Sequence, residues 1–203
     1  MRDAVTDQTV SELAEGGPST STSRRVAILA ALASSGTLAT NILLPSLPQM
    51  ATSLHVSTAE VTASITVFLI VFAFGQLAVG PLSDRYGRRI PVLAGFAIFI
   101  AGSICCGVAT NLPQLLAGRM VQAAGACATS VLSRAIARDL YTGTALARVM
   151  SLITIAMAAA PGFSPLLGGA LDHYFGWRSE FVFVGIFAAA AATAYGTILG
   201  ETH

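Results

Sequence analysis

Six long apolar stretches constrain the fold of this 203-residue chain more than any other feature of its sequence. Each stretch is close to the roughly 20 apolar residues that an α-helix needs to cross the hydrocarbon core of a bilayer. Because backbone groups in lipid must be hydrogen-bonded within the protein, such stretches form helices. The sequence therefore predicts an all-α membrane protein with six transmembrane helices, here called spans 1 to 6. They cover approximately residues 26–47, 60–80, 90–109, 113–133, 149–171 and 181–199.

Composition excludes the main soluble alternatives. Only 10% of the residues are charged and the mean hydropathy is +0.73, whereas about 25% of the residues in a soluble domain are charged. A net charge of +1 leaves no basic surface for nucleic acid. The three cysteines, Cys105, Cys106 and Cys127, lie in apolar stretches without metal-ligand spacing. We therefore predict no metal site, no disulfide framework and no cofactor.

The arginines predict the orientation of the spans. Residues 1–25 are polar and predict a disordered tail, and residues 26–203 form the six-span bundle. Nine of the 11 arginines lie in this tail and in the loops that share its side of the membrane. The opposite loops hold Arg178 alone, and Arg119 lies inside span 4. Since arginine marks the cytoplasmic side, we expect a multi-pass plasma-membrane protein with both termini in the cytoplasm.

Two loops resemble one another and indicate an internal repeat. The segment 80–88 after span 2 and the segment 169–178 after span 5 share Gly, Leu, Asp, Tyr, Gly and Arg in that order. Their aspartates, Asp84 and Asp172, are 88 residues apart and face opposite sides of the membrane. A three-plus-three inverted repeat would produce this pattern. Chance similarity is the alternative for so short a match.

The loop between spans 2 and 3 concentrates glycine and charge. It reads Gly80-Pro-Leu-Ser-Asp84-Arg85-Tyr-Gly87-Arg88-Arg89. Gly80 is expected to let helices approach, and Gly87 to permit a turn with positive φ. The acid and its neighbouring arginines predict an ionic cluster, with Asp139 at the inner end of span 4 as a local partner. A plain positively charged loop would need the arginines but not the glycine and aspartate spacing.

This loop resembles the pattern Gly-x-Leu-x-Asp-Arg-x-Gly-Arg-Arg of the major facilitator superfamily, in particular its Bcr/CflA type of drug/proton antiporter. The resemblance extends from residue 26 onward. It implies that the chain is the N-terminal six-helix half of a twelve-span transporter, with a substrate site between the halves. It also implies that residues 80–89 act as a gating loop.

Span 4 extends the resemblance. Arg119, Gln122 and Gly125 are similar to the family pattern Arg-x-x-Gln-Gly-x-Gly, with Ala123 in place of its first glycine. Arg119 lies about 9 Å below the outer end of the span, where a cation is costly unless it faces water or a partner. Gln122 shares its helical stripe, which predicts a polar face towards a cavity, and snorkelling to the headgroups is the alternative. The resemblance implies that Arg119 takes part in substrate or proton coupling.

Span 5 contains a segment similar to the antiporter signature Ala-Pro-x-x-Ala-Pro-x-x-Gly-Gly. Pro161 and Pro165 are expected to bend the helix, and Gly168 and Gly169 to let another helix pack closely. The resemblance implies a kinked segment that shapes the cavity and limits leak. A purely structural kink would give the same pattern. Farther on, Trp177 falls in a Gly-Trp-Arg segment that matches the family and suits an interfacial anchor.

Span 1 departs from the family. Asn41 stands where the resembling segment Asp-x-x-Leu-Pro-x-Leu-Pro has an acid, and asparagine cannot exchange a proton. Ser34, Thr37 and Asn41 share one helical face that could line a cavity. The interiors of the six spans contain no Asp, Glu or His. The proton coupling that the resemblance implies therefore lacks a carrier inside this half.

These observations predict transmembrane transport, most simply proton-coupled efflux of drugs or small molecules. The expected partners are the lipid bilayer, a small-molecule substrate, protons, and a second six-helix half or a parallel homodimer. The alternatives are a truncated half without activity of its own, or an exporter of sugars or amino acids. An intramembrane serine protease would need a glycine after the serine and a histidine on a later span. Ser164 is followed by Pro165 and no span contains histidine, so we predict no enzyme.

Overall fold

A computed structural model describes the backbone of residues 20–199, and the side chains of residues 22–199 except that of Asp84. Six helical segments in it are long and apolar enough to cross a membrane, the first being Thr22–Leu54. The predicted all-α fold with six spans is therefore confirmed. Seven α-helices make up these spans: α1 (Thr20–Asn41), α2 (Leu47–Leu54), α3 (Thr58–Tyr86), α4 (Arg89–Gly107), α5 (Leu112–Leu140), α6 (Gly143–Phe175) and α7 (Arg178–Ile198).

Span 1 contains both α1 and α2, with a short 3-10 turn, Leu44–Ser46, between them. Helix α1 begins at Thr20, so residues 20–25 are helical, although the sequence predicts them in a disordered tail. Serine and threonine, which fill residues 19–23, are favoured at helix starts, and this explains the earlier boundary. Residues 1–19 of the predicted tail lie outside the described residues.

Helix α5 lies at the centre of the bundle and packs against α4, α3 and α1. Glycines let α4 and α5 touch through their backbones. A Cβ at Gly102 would lie 2.3 Å from the backbone nitrogen of Gln122, and one at Gly125 would lie 2.3 Å from that of Phe99. Side chains on the facing surfaces of α4 and α5 are thereby brought within hydrogen-bonding reach.

The two resembling loops adopt the same backbone. Gly87 ends α3 with φ 78°, and Gly176 ends α6 with φ 78°. In both loops the next helix begins two residues later, at Arg89 and at Arg178. Because successive helices alternate in direction, the two junctions lie at opposite ends of the bundle. This arrangement is that of the predicted three-plus-three inverted repeat.

The helices differ in how much of their surface the bundle covers. Span 1 and α5 are mostly buried, whereas α3 and α6 bury the smallest shares of their residues. Phe74 and Leu77 on α3 and Leu166 on α6 are large exposed apolar side chains. The open faces of α3 and α6 therefore require lipid or another protein surface to cover them.

Candidate functional site

The side chain of Arg119 is completely buried in the centre of the bundle. Its Nη1 donates to the carbonyl oxygen of Ala39 on α1 at 3.2 Å and to Oε1 of Gln122. Its Cζ lies 4.2 Å from the ring centroid of Phe68 on α3, which is a cation–π contact. The guanidinium thus connects α5 to both α1 and α3. Nε and Nη2 donate no hydrogen bond within the described residues.

Gln122 continues this polar network to α4. Its Nε2 donates to Oγ of Ser103 at 2.8 Å, and that hydroxyl donates to the carbonyl oxygen of Phe99 at 2.9 Å. The close approach at Gly102 makes this reach possible. Gln122 is fully buried as well. Because α1 and α3 close over this face of α5, the structure places Arg119 and Gln122 inside the bundle rather than on an open cavity wall.

Ser34, Thr37 and Asn41 form a half-buried stripe on one face of α1, as their spacing predicts. Each donates to a carbonyl oxygen of its own helix, at distances of 2.8, 2.9 and 2.8 Å. Ala39, whose carbonyl binds Arg119, lies on the opposite, buried face of α1. The structure therefore keeps the polar stripe of α1 and the arginine network on separate faces of that helix.

The junction between α3 and α4, which we call the inner junction after the predicted orientation, contains an ion pair. Nε of Arg88 lies 2.9 Å from Oδ2 of Asp139, and the two side chains are 21% and 36% exposed. Arg88 also donates through Nη1 to Oγ of Ser83. Arg85 is outside this pair and lies over the ring of Tyr86, with Cζ 5.6 Å from the centroid. The ion pair joins the loop to the inner end of α5.

The remaining residues of the predicted gating loop differ in what they do. Gly87 adopts the predicted positive φ. The predicted close approach at Gly80 is wrong, because a Cβ there would meet no heavy atom within 4 Å in the part of the chain that the structure describes. Arg89 opens α4 and is exposed. The side chain of Asp84 lies outside the described residues.

A basic groove of ≈ 520 Å³, which sequence reasoning missed, lies between the inner halves of α3 and α5. Arg88, Arg134 and Arg138 line it together with Gln76 and Ser83. Positions 134 and 138 are one helical turn apart, which is the spacing that could have revealed it. The groove gives the inner end of the bundle a positively charged concave surface.

Helix α6 continues without interruption through Pro161 and Pro165. A Cβ at Gly168 would lie 1.9 Å from the carbonyl oxygen of Ile42, so this glycine packs directly on the backbone after α1. Gly169 makes only an ordinary contact, 3.8 Å from Pro45. One glycine of the pair therefore fixes α6 against span 1. Ser164 is buried and its hydroxyl has no hydrogen-bond partner among the described residues.

The junction between α6 and α7, which we call the outer junction after the same predicted orientation, contains a buried acid that sequence reasoning missed. Glu180, in the first turn of α7, is completely buried and accepts at Oε1 a hydrogen bond from Oγ of Ser46. The amide nitrogen of Gln49, in the amide orientation that satisfies its contacts, faces both carboxylate oxygens of Asp172. Two acids thus lie against the outer end of span 1. An acid that follows Gly-Trp-Arg at the start of an apolar run was the available signal.

Trp177 and Arg178 complete the outer junction. Nη2 of Arg178 donates to the carbonyl oxygen of Ala109 at 2.9 Å, and its Cζ lies 4.3 Å from the centroid of Trp177. Trp177 is 3% exposed and contacts Phe181 edge to face. The prediction of an interfacial anchor is wrong for this tryptophan, because its ring is covered by protein.

Six membrane-spanning helices in two inverted triplets define a multi-pass membrane protein with the architecture of a transporter half. Residues 28–201 match the Major Facilitator Superfamily, and the chain belongs to this family. The fold is also that of the solved peptide transporter POT, in its complex with sulfate. The TM-score is 0.75 at 14% identity, covering 88% of this chain and 39% of that one.

Named relatives confirm the resemblance to the drug-resistance branch. The chain is 41% identical over 144 residues to the uncharacterized MFS-type transporter YdgK of Bacillus subtilis, covering 71% of this chain and 36% of that one. It is 31% identical over 176 residues to multidrug resistance protein D of Escherichia coli, with coverages of 87% and 45%. It is 34% identical over 160 residues to a bicyclomycin resistance protein homolog of Haemophilus influenzae, with coverages of 79% and 40%. The chain thus spans less than half the length of these relatives.

Proposed function

We propose that this bundle is the N-terminal half of a proton-coupled exporter of drugs or related small molecules, rather than an enzyme. The observation that carries the proposal is the buried network centred on Arg119, which joins α1, α3 and α4 to α5. An ionised side chain inside a membrane bundle is costly and marks a functional site. The relatives named for drug resistance support the substrate class.

The network couples helix movement to the binding of a polar ligand. Nε and Nη2 of Arg119 are buried donors without acceptors within residues 20–199, and unmade hydrogen bonds of a buried charge are unfavourable. A separation of α1 or α3 from α5 would expose these donors to water or to a substrate acceptor. Substrate binding and the closed packing of α1 and α3 on α5 therefore compete for the guanidinium of Arg119.

A second six-helix bundle is the proposed partner. The open apolar faces of α3 and α6 and the relatives' greater length support it. The second bundle is either a complementary half or a parallel copy of this one, and lipid covers the rest of the surface. The half-buried stripe of Ser34, Thr37 and Asn41 would then line the space between the bundles.

We further propose that both termini are cytoplasmic, because arginine dominates that side of the sequence. The basic groove between α3 and α5 would then open towards the cytoplasm, where an exporter collects its substrate. A periplasm-active reporter fused near Asp172 should be active, and one fused after Leu199 should be silent. The reverse pattern would invert the orientation.

Arg119→Ala tests the function, in a chain co-expressed with the C-terminal half of multidrug resistance protein D. We expect drug efflux to fall by at least about tenfold, and Arg119→Lys to restore little because ammonium lacks the planar donor fork of guanidinium. Arg148→Ala, at an exposed arginine, is the matched control and should leave efflux unchanged. Membrane insertion is measured for every variant.

Efflux that survives Arg119→Ala in inserted protein would overturn the role of Arg119. Two alternatives have their own outcomes in the same assay. Export of sugars or amino acids with no drug efflux would make the chain an exporter of metabolites. Inserted protein that transports nothing with any partner would make it a half without transport activity.

A further inference from the structure

Arg119 and Glu180 are the two completely buried charged residues among the described side chains. The proposed function uses Arg119 but not Glu180. Glu180 lies in the first turn of α7, and its hydrogen-bond partner Ser46 ends the 3-10 turn that interrupts span 1. Its second oxygen, Oε2, has no hydrogen-bond partner among the described residues. The Glu180 carboxyl therefore connects α7 to the 3-10 turn of span 1, while one of its two oxygens lacks a hydrogen bond.

Among the described side chains, no cation forms an ion pair with Glu180. On α6, Asp172 lies near Glu180 and adds a like charge, and the Asp172 carboxylate faces the amide of Gln49, whereas His173 is exposed. The outer end of α4 contributes only the thiols of Cys105 and Cys106, and residues 41–54 of span 1 contain no charge. Arg178, on α7 itself, is engaged with Ala109 and Trp177.

An ionised carboxylate in this environment would be buried, half-satisfied and next to a second acid. Such a group is strongly unfavourable. A proton on Oε2 removes the charge and leaves the hydrogen bond from Ser46 to Oε1 intact. The closed outer junction therefore favours the protonated acid.

We propose that Glu180 and Ser46 form a proton-binding site that holds the outer ends of span 1 and α7 together, and that loss of the proton releases this contact. The released carboxylate moves to water, and the first turn of α7 separates from the 3-10 turn. Gly168, packed on Ile42 just before that turn, keeps α6 fixed below the moving part. The contact is present at low external pH and is lost as the external pH rises.

Only the effect of this site on transport rests on the proposed function. In an exporter, the outer contact must open to release substrate and close again before the next cycle. A site that closes on taking up a proton from outside makes closure depend on the external pH. The protonation state itself can be measured without any transport.

Infrared spectroscopy of the purified full chain tests the protonation state. The wild-type spectrum at pH 7 should contain the C=O stretch of a protonated buried carboxyl, and this band should fall progressively as the pH rises towards 9. Glu180→Gln should remove the band while keeping the size and polarity of the side chain. Glu60→Gln, at an exposed carboxyl that caps α3, is the matched control and should retain it.

A band that persists in folded Glu180→Gln, or a wild-type spectrum without one at pH 7, would overturn the proposal. If Glu180→Gln does not fold, Ser46→Ala provides the second test. Loss of the donated hydrogen bond should shift the band to higher frequency, and an unshifted band in folded Ser46→Ala would contradict the site.

Transport by the paired protein gives the functional readout. Export by the wild type should vary with external pH, and Glu180→Gln should weaken this dependence because it removes the titration of the outer contact. An unchanged profile would overturn the role of Glu180 in transport. If the paired wild type transports nothing while the infrared band behaves as expected, the proposed export function fails and the proton-binding site stands.

Discussion

The inner and outer junctions of this bundle have the same backbone and opposite chemistry. Gly87 and Gly176 share φ 78°, and each precedes a new helix by two residues. At the inner junction a partly exposed Arg88–Asp139 pair connects the loop to α5. At the outer junction a buried Glu180 meets Ser46. The comparison teaches that a repeat can preserve a turn while the burial and charge of its side chains diverge. Because the outer junction is more buried, substitutions there should reduce the free energy of unfolding more than substitutions at the inner junction.

The largest difference is expected between Gly168→Ala and Gly80→Ala. A methyl at position 168 would overlap the carbonyl oxygen of Ile42 at 1.9 Å, and backbone cannot move aside as a side chain can. We expect a loss of about 1–3 kcal/mol or more in the free energy of unfolding. A methyl at position 80 meets open space, and replacing a helical glycine there should stabilise by roughly 0.5–1 kcal/mol.

Thermal unfolding in detergent measures both glycine variants. Gly169→Ala, one residue from Gly168 and in ordinary contact with Pro45, is the control for helix α6. It should unfold near the wild-type temperature. Equal stability of Gly168→Ala and Gly80→Ala would show that the two junctions are packed alike, contrary to the comparison.

An intermediate effect is expected for the two serines. Ser46→Ala removes the donor to a buried acid, which should cost about 1–3 kcal/mol. Ser83→Ala removes an acceptor of Arg88, which keeps its ion pair with Asp139, and should cost about 0.5–1 kcal/mol. Denaturant titration measures the free energy of unfolding of both variants. A larger loss of that free energy for Ser83→Ala than for Ser46→Ala would contradict the expected order.

The smallest effect is expected for the ion pair of the inner junction. Because Arg88 and Asp139 are 21% and 36% exposed, a double-mutant cycle with Arg88→Gln and Asp139→Asn should give a coupling of about 0.2–1 kcal/mol. Added salt should weaken it further, since exposed charges are screened. A coupling well above this range and independent of salt would place the pair in a buried environment.

The fold was largely predictable because bilayer thickness imposes a length that sequence shows directly. All six spans are present, and Gly87 has the positive φ that its position in a turn predicts. The helices extend beyond the apolar stretches, as α5 does from residue 133 to Leu140, because hydropathy marks the membrane rather than the end of a helix.

The site was less predictable because burial depends on contacts between distant segments. Arg119 was identified by its depth in span 4. Its cation–π contact with Phe68 and its hydrogen bond to the carbonyl oxygen of Ala39 involve other helices, which the sequence of span 4 does not show. Glu180 lies at a span end, and its hydrogen-bond partner Ser46 is 134 residues away in the sequence. Gly168 and Gly169 look equivalent as motif glycines, yet only Gly168 packs on backbone.

Proton flux in proteoliposomes tests most directly whether this bundle is one half of a coupled exporter, as we propose. The purified chain reconstituted alone should show no substrate-driven proton flux, because Asn41 on the polar stripe of α1 cannot exchange a proton and the apolar faces of α3 and α6 are open. Co-reconstitution with a complementary six-helix half should produce flux, and Asn41→Asp in that pair should steepen its pH dependence. Robust proton-coupled export by the unpaired chain would contradict the account.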